Sequence, residues 1–420
     1  MSASTTPGLA MPPAAATAEP PLGGVQWPVV AVALAGAAAL AAGIAADAAR
    51  NGVALLVVGL MLGVVLYQAA FGFTSAWRVF ILDGRTAGLR AQLLMLGVAC
   101  LLFFPALGAG TLFFPALGAG TLFGHPVAGS IAPLNISLVV GAFLFGIGMQ
   151  LGGGCASGTL FAVGGGSAGM LPTLLFFMVG SMTGLAHQPF WTALPGLPSV
   201  SLVRSFGWPV ALAGNLVVFG LIWLALTQVE RRRSSSVQPI TSGGRWRRGP
   251  WPLAAGAVGL ALLNFATLAL AGRPWGITSA FGLWAGKLLL AAHVDIGNWG
   301  GWAAPGAQAS LTQPVLADIN SIMDLGIMLG AMLAAGLAGR FVLLQRLTGR
   351  RVLASVTGGL LLGYGARLGY GCNIGAFFDG VASGSLHGWA WIVAAMAGAL
   401  VGVRLRPLFG LAVEPRLTSC

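Results

Sequence analysis

GAFLFGIGMQLGGGCASGTLF at residues 141–161 and GGLLLGYGARLGYGCNIGAFF at residues 358–378 are two versions of one pattern. Aligned at a constant offset of 217 residues, they agree at ten of 21 positions, and each carries a single cysteine at the same place. This agreement indicates an internal duplication in which each copy kept its thiol, Cys155 in the first and Cys372 in the second. The identical positions, numbered in the first copy, are Gly141, Leu144, Gly146, Gly148, Leu151, Gly152, Gly154, Cys155, Gly158 and Phe161.

A second matched pair of short motifs supports the duplication. GFTSAW occupies residues 72–77 and GITSAF occupies residues 276–281, and each precedes the cysteine motif of its own half. Thr74 in the first motif, and Thr278 and Ser279 in the second, therefore join the two cysteines as candidate site residues.

The composition identifies a membrane protein. Of the 420 residues, 57% are hydrophobic and only 7% are charged, whereas soluble domains have roughly 25% charged residues. The predicted fold class is all-α: a polytopic membrane protein built from two inverted-topology repeats with short or re-entrant broken helices. Stretches near the roughly 20 residues that cross a bilayer occur at 27–46, 52–70, 92–108, 137–152, 170–187, 208–228, 251–271, 319–338 and 388–405.

The distribution of arginines predicts the orientation of the repeats. Basic residues cluster at 78–90, 231–248 and 340–351, while the segments 109–136 and 294–318 have none. By the positive-inside rule the basic segments are cytoplasmic. Equivalent loops of the two halves then lie on opposite faces of the membrane, as in the inverted repeats of many secondary transporters. This topology places both termini in the cytoplasm and explains the net charge of +12 without a nucleic-acid partner.

These observations predict the organisation of the whole chain. Its parts are a disordered N-terminal tail (1–26), an extra N-terminal transmembrane helix (27–51), a first inverted repeat (52–228), a basic cytoplasmic linker (229–250), a second inverted repeat (251–405) and a cytoplasmic tail (406–420).

Several features receive no function from the sequence. Residues 1–26 lack the basic start and apolar core of a signal peptide. LFFPALGAGT at 102–111 is repeated letter for letter at 112–121, which is typical of a tandem duplication in a tolerant loop. Cys100, in an apolar run, and Cys420, near the C-terminus, are expected to have no functional role. The four cysteines form no CxxC and no Cys/His cluster, so we expect no zinc site and no cofactor.

The glycine-rich motifs predict broken helices. Gly154 and Gly371 directly precede the two cysteines, and glycine permits the backbone conformations that interrupt a helix. Irregular backbone at membrane depth is tolerated only where it is buried in protein or lines a cavity. The N-terminal ends of the short helices that follow would favour an anion. Cys155 and Cys372 would add weak S–H donors and polarizable sulfur, although a buried cysteine can also be merely a small apolar side chain.

Five other polar residues are weaker candidates. Lys287, the only lysine, is expected either to hold an anion or to extend to the outer interface. Asp324 is a candidate ion-pair partner for Lys287, with a proton-binding role as the alternative. Arg367 lies within the second glycine motif and is expected either to neutralise an anion or to anchor a helix. Asp379 and His387 are expected to cap or pack, because an acid in the path would oppose an anion.

The two cysteine motifs, together with GRPWGITSAFGLWAGK at 272–287, resemble the YeeE/YedE family of bacterial inner-membrane proteins. The resemblance covers most of the chain. It implies an hourglass-shaped helical protein with pseudo-twofold inverted repeats that takes up thiosulfate, or a related sulfur or selenium compound. It also implies a bacterial inner-membrane location and a cytoplasmic sulfur-carrier protein as recipient of the solute.

The resemblance also implies a mechanism. In the family, cysteine thiols at a narrow waist hydrogen-bond the sulfur of the substrate in succession and pass it inward without covalent chemistry. Cys155 and Cys372 match two of these cysteines. A third family cysteine follows Gly-Phe in the early motif, and Thr74 occupies its place here. A hydroxyl is a better hydrogen-bond donor than a thiol but a poorer match to sulfur.

The residues leave two other classes of function open. A membrane thiol–disulfide electron carrier would use Cys155 and Cys372 as a redox pair, which requires Cα atoms within about 7 Å. The second alternative is a structural subunit with no transport path through it. Glycine-walled cysteines favour a transporter over both, and no enzymatic activity is expected.

Overall fold

The computed structural model of the chain describes residues 24–46, 51–108, 121–122, 125–234, 236–244, 246, 248–343 and 347–411. The tail before residue 24, Cys420 and most of the second LFFPALGAGT copy lie outside the described residues.

The first half consists of helices joined by short connections. Two pairs of short antiparallel strands lie in its loops, where β1 (Thr121–Leu122) pairs with β2 (His125–Pro126) and β3 (Leu134–Asn135) pairs with β4 (Gly196–Leu197). The helices are α1 (Trp27–Ala46), α2 (Gly52–Gln68), α3 (Phe73–Asp83), α4 (Ala87–Gly108), α5 (Ile136–Gly152), α6 (Ala156–Gly164), α7 (Leu171–Ala186), α8 (Gln188–Thr192), α9 (Leu202–Phe206) and α10 (Trp208–Arg233).

The second half repeats the alternation of long and short helices. A π-helix (Asn373–Phe378) runs directly into the short helix α16. The helices are α11 (Leu253–Ala271), α12 (Thr278–Ala291), α13 (Pro305–Thr312), α14 (Ile319–Ala338), α15 (Gly349–Leu368), α16 (Asp379–Ala382) and α17 (Leu386–Leu405).

Ten stretches within the described residues are long and apolar enough to cross a membrane. The all-α, polytopic fold class is therefore confirmed, and nine of the ten stretches overlap those identified in the sequence. The missed span contains α15. Its sequence includes Arg350, Arg351 and Arg367 between many glycines, and these residues dilute the apolar signal that the other spans carry.

The helices that carry the two cysteine motifs pack against each other in antiparallel orientation. A Cβ atom on Gly141, near the start of α5, would lie 2.7 Å from the carbonyl oxygen of Gly365, near the end of α15. A Cβ atom on Gly358, in the middle of α15, would lie 2.6 Å from the Cα of Gly152, at the end of α5. Equivalent helices that meet in this way are related by a twofold axis in the membrane plane, which is the geometry of inverted repeats.

The remaining long helices contact one another reciprocally. α7 packs on α15 as α17 packs on α5, and α14 packs on α2 as α11 packs on α4. Gly180 of α7 faces the backbone of Leu360, and Gly398 of α17 faces the backbone of Phe143. Leu360 and Phe143 are equivalent at the offset of 217, so the same close approach is made twice.

Buried aromatic rings join the elements around the cysteine motifs. The Phe145 and Phe177 rings are 6.3 Å apart, and the Phe177 and Phe281 rings are 4.8 Å apart, both edge to face. The Trp391 ring lies 5.4 Å from Phe145. Edge-to-face pairs add specific attraction to the area that they bury. These contacts fix α5, α7, α12 and α17 relative to one another.

Candidate functional site

The first cysteine motif breaks a helix as predicted. α5 ends at Gly152, and Gly153 adopts φ 83°, a left-handed conformation that favours glycine. Cys155 is extended and forms the N-cap of α6. Its side chain is only 2% exposed, and its Sγ lies 3.4 Å from the hydroxyl oxygen of Ser157.

The second cysteine motif makes an equivalent break. α15 ends at Leu368, Gly371 has φ 144°, and the extended Cys372 caps the π-helix. The Cys372 Sγ accepts a hydrogen bond of 3.4 Å from the backbone amide of Ile374, and the residue is 1% exposed. Each thiol therefore lies at the N-terminal end of the short helix that follows its break.

The two breaks bring the candidate cysteines into one region. Cys155 and Cys372 are free thiols, and they belong to one cluster of buried residues. Neither sulfur is reached by solvent in this conformation, because both residues are buried.

The short TSA motifs lie against the breaks in equivalent ways. Gln150 and Arg367 are equivalent positions, five residues before each cysteine. The Gln150 side chain donates a hydrogen bond of 3.3 Å to the backbone oxygen of Thr74. Arg367 Nη2 donates one of 3.1 Å to the backbone oxygen of Ser279. One polar side chain from each cysteine helix thus holds the start of the short helix that begins near its TSA motif.

Arg367 connects α15 to α7 and α12. Its Nε also donates to the hydroxyl of Ser181 in α7 at 3.0 Å, and that hydroxyl lies 3.3 Å from the backbone oxygen of Thr278, to which it donates. The side-chain amide of Asn320, at the start of α14, donates to the Ser279 hydroxyl. Arg367, Ser181 and Asn320 therefore support the backbone and side chains of the predicted candidates Thr278 and Ser279.

The predicted ion pair between Lys287 and Asp324 is wrong. Lys287 Nζ donates to the backbone oxygens of Leu311, at 2.8 Å, and Gln313. Asp324 is fully buried, and neither of its carboxyl oxygens has a hydrogen-bond partner. Backbone carbonyls from the α13 region satisfy the ammonium group without a carboxylate.

Asp379, His387 and Cys100 each have a hydrogen-bond contact with a neighbouring residue in the structure. The Asp379 carboxylate accepts a hydrogen bond of 2.6 Å from the Asn264 side chain. The His387 Nδ1 lies 2.7 Å from the hydroxyl of Ser385. The Cys100 thiol lies 3.7 Å from the backbone oxygen of Val381. Each of these side chains therefore has a hydrogen-bonding contact within the fold.

The sequence analysis missed Asn373. It follows Cys372 directly, is fully buried, and neither atom of its side-chain amide has a partner. The equivalent residue in the first repeat is Ala156, so this unpaired amide occurs beside one cysteine only. In the sequence, Asn373 could have been recognised as a polar residue inside an otherwise apolar motif. The hydroxyl of Thr74 is likewise buried without a partner.

The two helix breaks differ in how far they are exposed at the position two residues before each cysteine. Gly153, two residues before Cys155, is exposed. The equivalent residue of the second repeat is Tyr370, whose hydroxyl accepts a hydrogen bond of 2.6 Å from Asn135. Tyr370 has φ 59°, an uncommon conformation for a bulky residue. A side chain thus covers one break at the position where the other has only glycine.

Within the part of the chain that the structure describes, no cluster of three or more His, Cys, Asp or Glu side chains could hold a metal ion.

Comparison with known proteins identifies the family. Residues 68–401 match the family described as "Sulphur transport". The chain is 33% identical to the probable transporter YedE of Escherichia coli over 177 residues, which is 41% of this chain and 42% of that protein. It is 29% identical to the thiosulfate transporter TsuA of Spirochaeta thermophila over 341 residues, 80% of this chain and 92% of that protein. TsuA of Escherichia coli is 26% identical over 363 residues, 82% of this chain and 91% of its own length.

The chain thus matches less than half of YedE but nearly all of the TsuA proteins, and the family match contains both cysteine motifs. That family match covers well over half of the chain, and the ten apolar helices agree with it. The chain therefore belongs to the YeeE/YedE family of sulphur-transport proteins and is a multi-pass membrane protein.

Proposed function

We propose that this protein takes up thiosulfate or a closely similar sulfur-containing anion, and that Cys155 and Cys372 pass the anion between them. The observation that carries the proposal is the pair of buried thiols in one cluster of buried residues, each at the start of a short helix after an equivalent break. Two relatives that match over most of their length are named thiosulfate transporters.

The chemistry of the two breaks suits a soft anion. The N-terminal end of a helix carries partial positive charge and orphan amide donors. A thiol adds a weak donor and a polarizable sulfur that matches the terminal sulfur of thiosulfate. Both thiols stay protonated and no covalent bond forms, so the anion can leave each cysteine as readily as it arrives.

Two unpaired polar groups extend the proposed path. The Thr74 hydroxyl stands where the family has a further cysteine, and we assign it the step on the cytoplasmic side. The Asn373 amide lies beside Cys372 and can donate to the oxygen end of the anion. A buried amide or hydroxyl without a partner is costly, and a bound anion would supply the missing partner at both places.

The cations Lys287 and Arg367 complete the proposed path on the outer side. Both side chains are held by neutral oxygens rather than carboxylates, so their charge can attract an anion. The proposal includes the inverted repeats at 52–228 and 251–405, a bacterial inner-membrane location with both termini cytoplasmic, and delivery to a cytoplasmic sulfur-carrier protein.

Uptake by a sulfur-auxotrophic strain tests this proposal. Cells that lack their own sulfate and thiosulfate uptake should grow on thiosulfate as sole sulfur source when they express this chain, and should accumulate radiolabelled thiosulfate. Sulfate, sulfide and selenite serve as competitors. Faster uptake of labelled selenite than of labelled thiosulfate would instead assign a selenium compound, and no growth on any sulfur anion would refute the proposal.

The substitution Thr74→Cys tests the cytoplasmic step. A third thiol in the path should raise the rate of thiosulfate uptake, by about fivefold if the sulfur contact contributes about 1 kcal/mol to the slow step. The measurement is initial uptake of labelled thiosulfate. Ser75→Cys makes the same chemical change at the neighbouring exposed residue and should leave the rate unchanged. A slower Thr74→Cys variant would indicate that the hydroxyl is selected for another solute.

A further inference from the structure

Asp324 differs from the other buried acidic residues that the structure describes. It is fully buried in α14, in the second turn of a membrane-spanning helix, and neither carboxyl oxygen has a hydrogen-bond partner. Intramembrane acidic residues are rare and are functional by default. The other buried carboxylates have partners: Glu230 pairs with Arg90 at 3.0 Å, and Asp379 accepts from Asn264 at 2.6 Å.

Asp324 lies on the face of α14 that covers the proposed path. Residues four apart share one face of a helix, so Asn320, Asp324 and Met328 form one stripe. Asn320 bonds to Ser279 of the second TSA motif. The backbone of Met328 faces Gly164, at the end of the short helix that Cys155 caps. The carboxyl is therefore placed between an element at the outer end of the path and the helix of the first cysteine.

The described elements that pack against α14 supply no cation to pair with Asp324. α14 packs against α1, α2, α6, α12 and the turn Val315–Ala317. α1 has no titratable side chain, α2 has only Tyr67 near its cytoplasmic end, and α6 has only its cap, Cys155. Lys287 of α12 is engaged by backbone oxygens.

A like charge lies at the start of the same helix, where Asp318 is the N-cap of α14. Arg367 of α15 is held by Ser181 and Ser279. A carboxylate with no partner, in an apolar setting and on the same helix as a like charge, is disfavoured relative to the neutral acid.

We propose that Asp324 is a proton-binding site that couples proton entry to anion uptake. This inference rests on the proposed function, because thiosulfate is a dianion and its uptake into a negatively charged interior runs against the membrane potential. In the cycle, the carboxylate takes a proton from the outer side, remains neutral while the anion passes, and releases the same proton to the cytoplasmic side. A proton is favoured over a metal cation because metal cations require several ligands, and within the described residues no cluster of three or more His, Cys, Asp or Glu side chains could hold one.

Reconstituted full-length protein tests the coupling. Proteoliposomes with the membrane potential clamped receive labelled thiosulfate with and without an acidic exterior. The wild type should accumulate the anion several-fold above its external concentration only when the exterior is acidic. Asp324→Asn should lose this accumulation completely but retain exchange of labelled for unlabelled thiosulfate, which moves no net proton. Asp324→Glu keeps the ionisable group and should accumulate, and Asp295→Asn, at an exposed loop residue, should behave as the wild type.

The outcomes separate this inference from the proposed function. Accumulation by Asp324→Asn equal to that of the wild type would overturn the assignment, as would loss of exchange together with accumulation. Wild-type accumulation that follows a sodium gradient or ignores the proton gradient would overturn proton coupling while leaving thiosulfate transport intact. Wild-type vesicles that neither exchange nor accumulate thiosulfate would refute the proposed function, and this inference with it.

Discussion

Replacing Cys155 or Cys372 by alanine should reduce thiosulfate uptake by about 10- to 100-fold. A hydrogen bond to a charged group contributes about 1.5–3 kcal/mol, and each 1.4 kcal/mol corresponds to about tenfold. Each thiol is the side chain proposed to contact the anion at its break, and alanine offers neither a donor nor a sulfur. Initial uptake of labelled thiosulfate is the measurement, normalised to the amount of protein in the membrane.

The cysteine variants should insert and fold normally. The Cys155 side chain makes no capping hydrogen bond to α6, and the Cys372 thiol accepts only one long bond from Ile374. Cys100→Ala removes an equally buried thiol in α4, outside both motifs, and should leave uptake unchanged. Cys→Ser variants keep a donor and lose the sulfur, so an intermediate rate would indicate that both properties contribute.

Two results would contradict the cysteine path. Normal uptake by both alanine variants would remove the thiols from the mechanism. Alternatively, alkylation with and without reductant can report whether the two thiols form a disulfide in membranes. A Cys155–Cys372 disulfide that cycles with a thioredoxin-like partner would identify an electron carrier, because a relay of protonated thiols never forms that bond.

The architecture could be predicted because the internal duplication is still recognisable as similarity between the two halves of the sequence. Gly358 and Gly152 belong to the pattern that recurs at an offset of 217, and the same glycines form the antiparallel contact of α5 and α15. The predicted breaks before Cys155 and Cys372 are present for the same reason, since the glycine of each motif permits them. α15 itself was missed because its arginines mask a span whose glycines serve packing.

The polar partners could not be predicted, because they depend on distances between elements far apart in the chain. Lys287 and Asp324 looked complementary by charge, yet Lys287 reaches backbone oxygens near α13. Asn373 and Tyr370 stand out only by comparison of the repeats, where the first copy has alanine and glycine. Whether such a residue has a partner is a property of the packed structure.

Gly358→Ala should destabilise the protein strongly, by about 2–3 kcal/mol, and abolish transport. A Cβ atom at this position would lie 2.6 Å from the Cα of Gly152 and 2.9 Å from the carbonyl oxygen of Gly148. These are backbone atoms and cannot rotate away, so α5 and α15 would have to separate. Gly152 is the last residue before the break at Cys155, and the separation would therefore displace the first thiol from the second.

Thermal unfolding in detergent, with size-exclusion chromatography, measures this effect. Gly220→Ala is the matched control, because Gly220 is also inside a long helix but a Cβ atom there would meet no neighbouring atom within 4 Å. Alanine should stabilise that helix slightly, by up to about 1 kcal/mol, so the two variants should shift the midpoint in opposite directions. Equal midpoints would mean that α5 and α15 do not approach so closely in the membrane, and the shared region for the two cysteines would lose its structural basis.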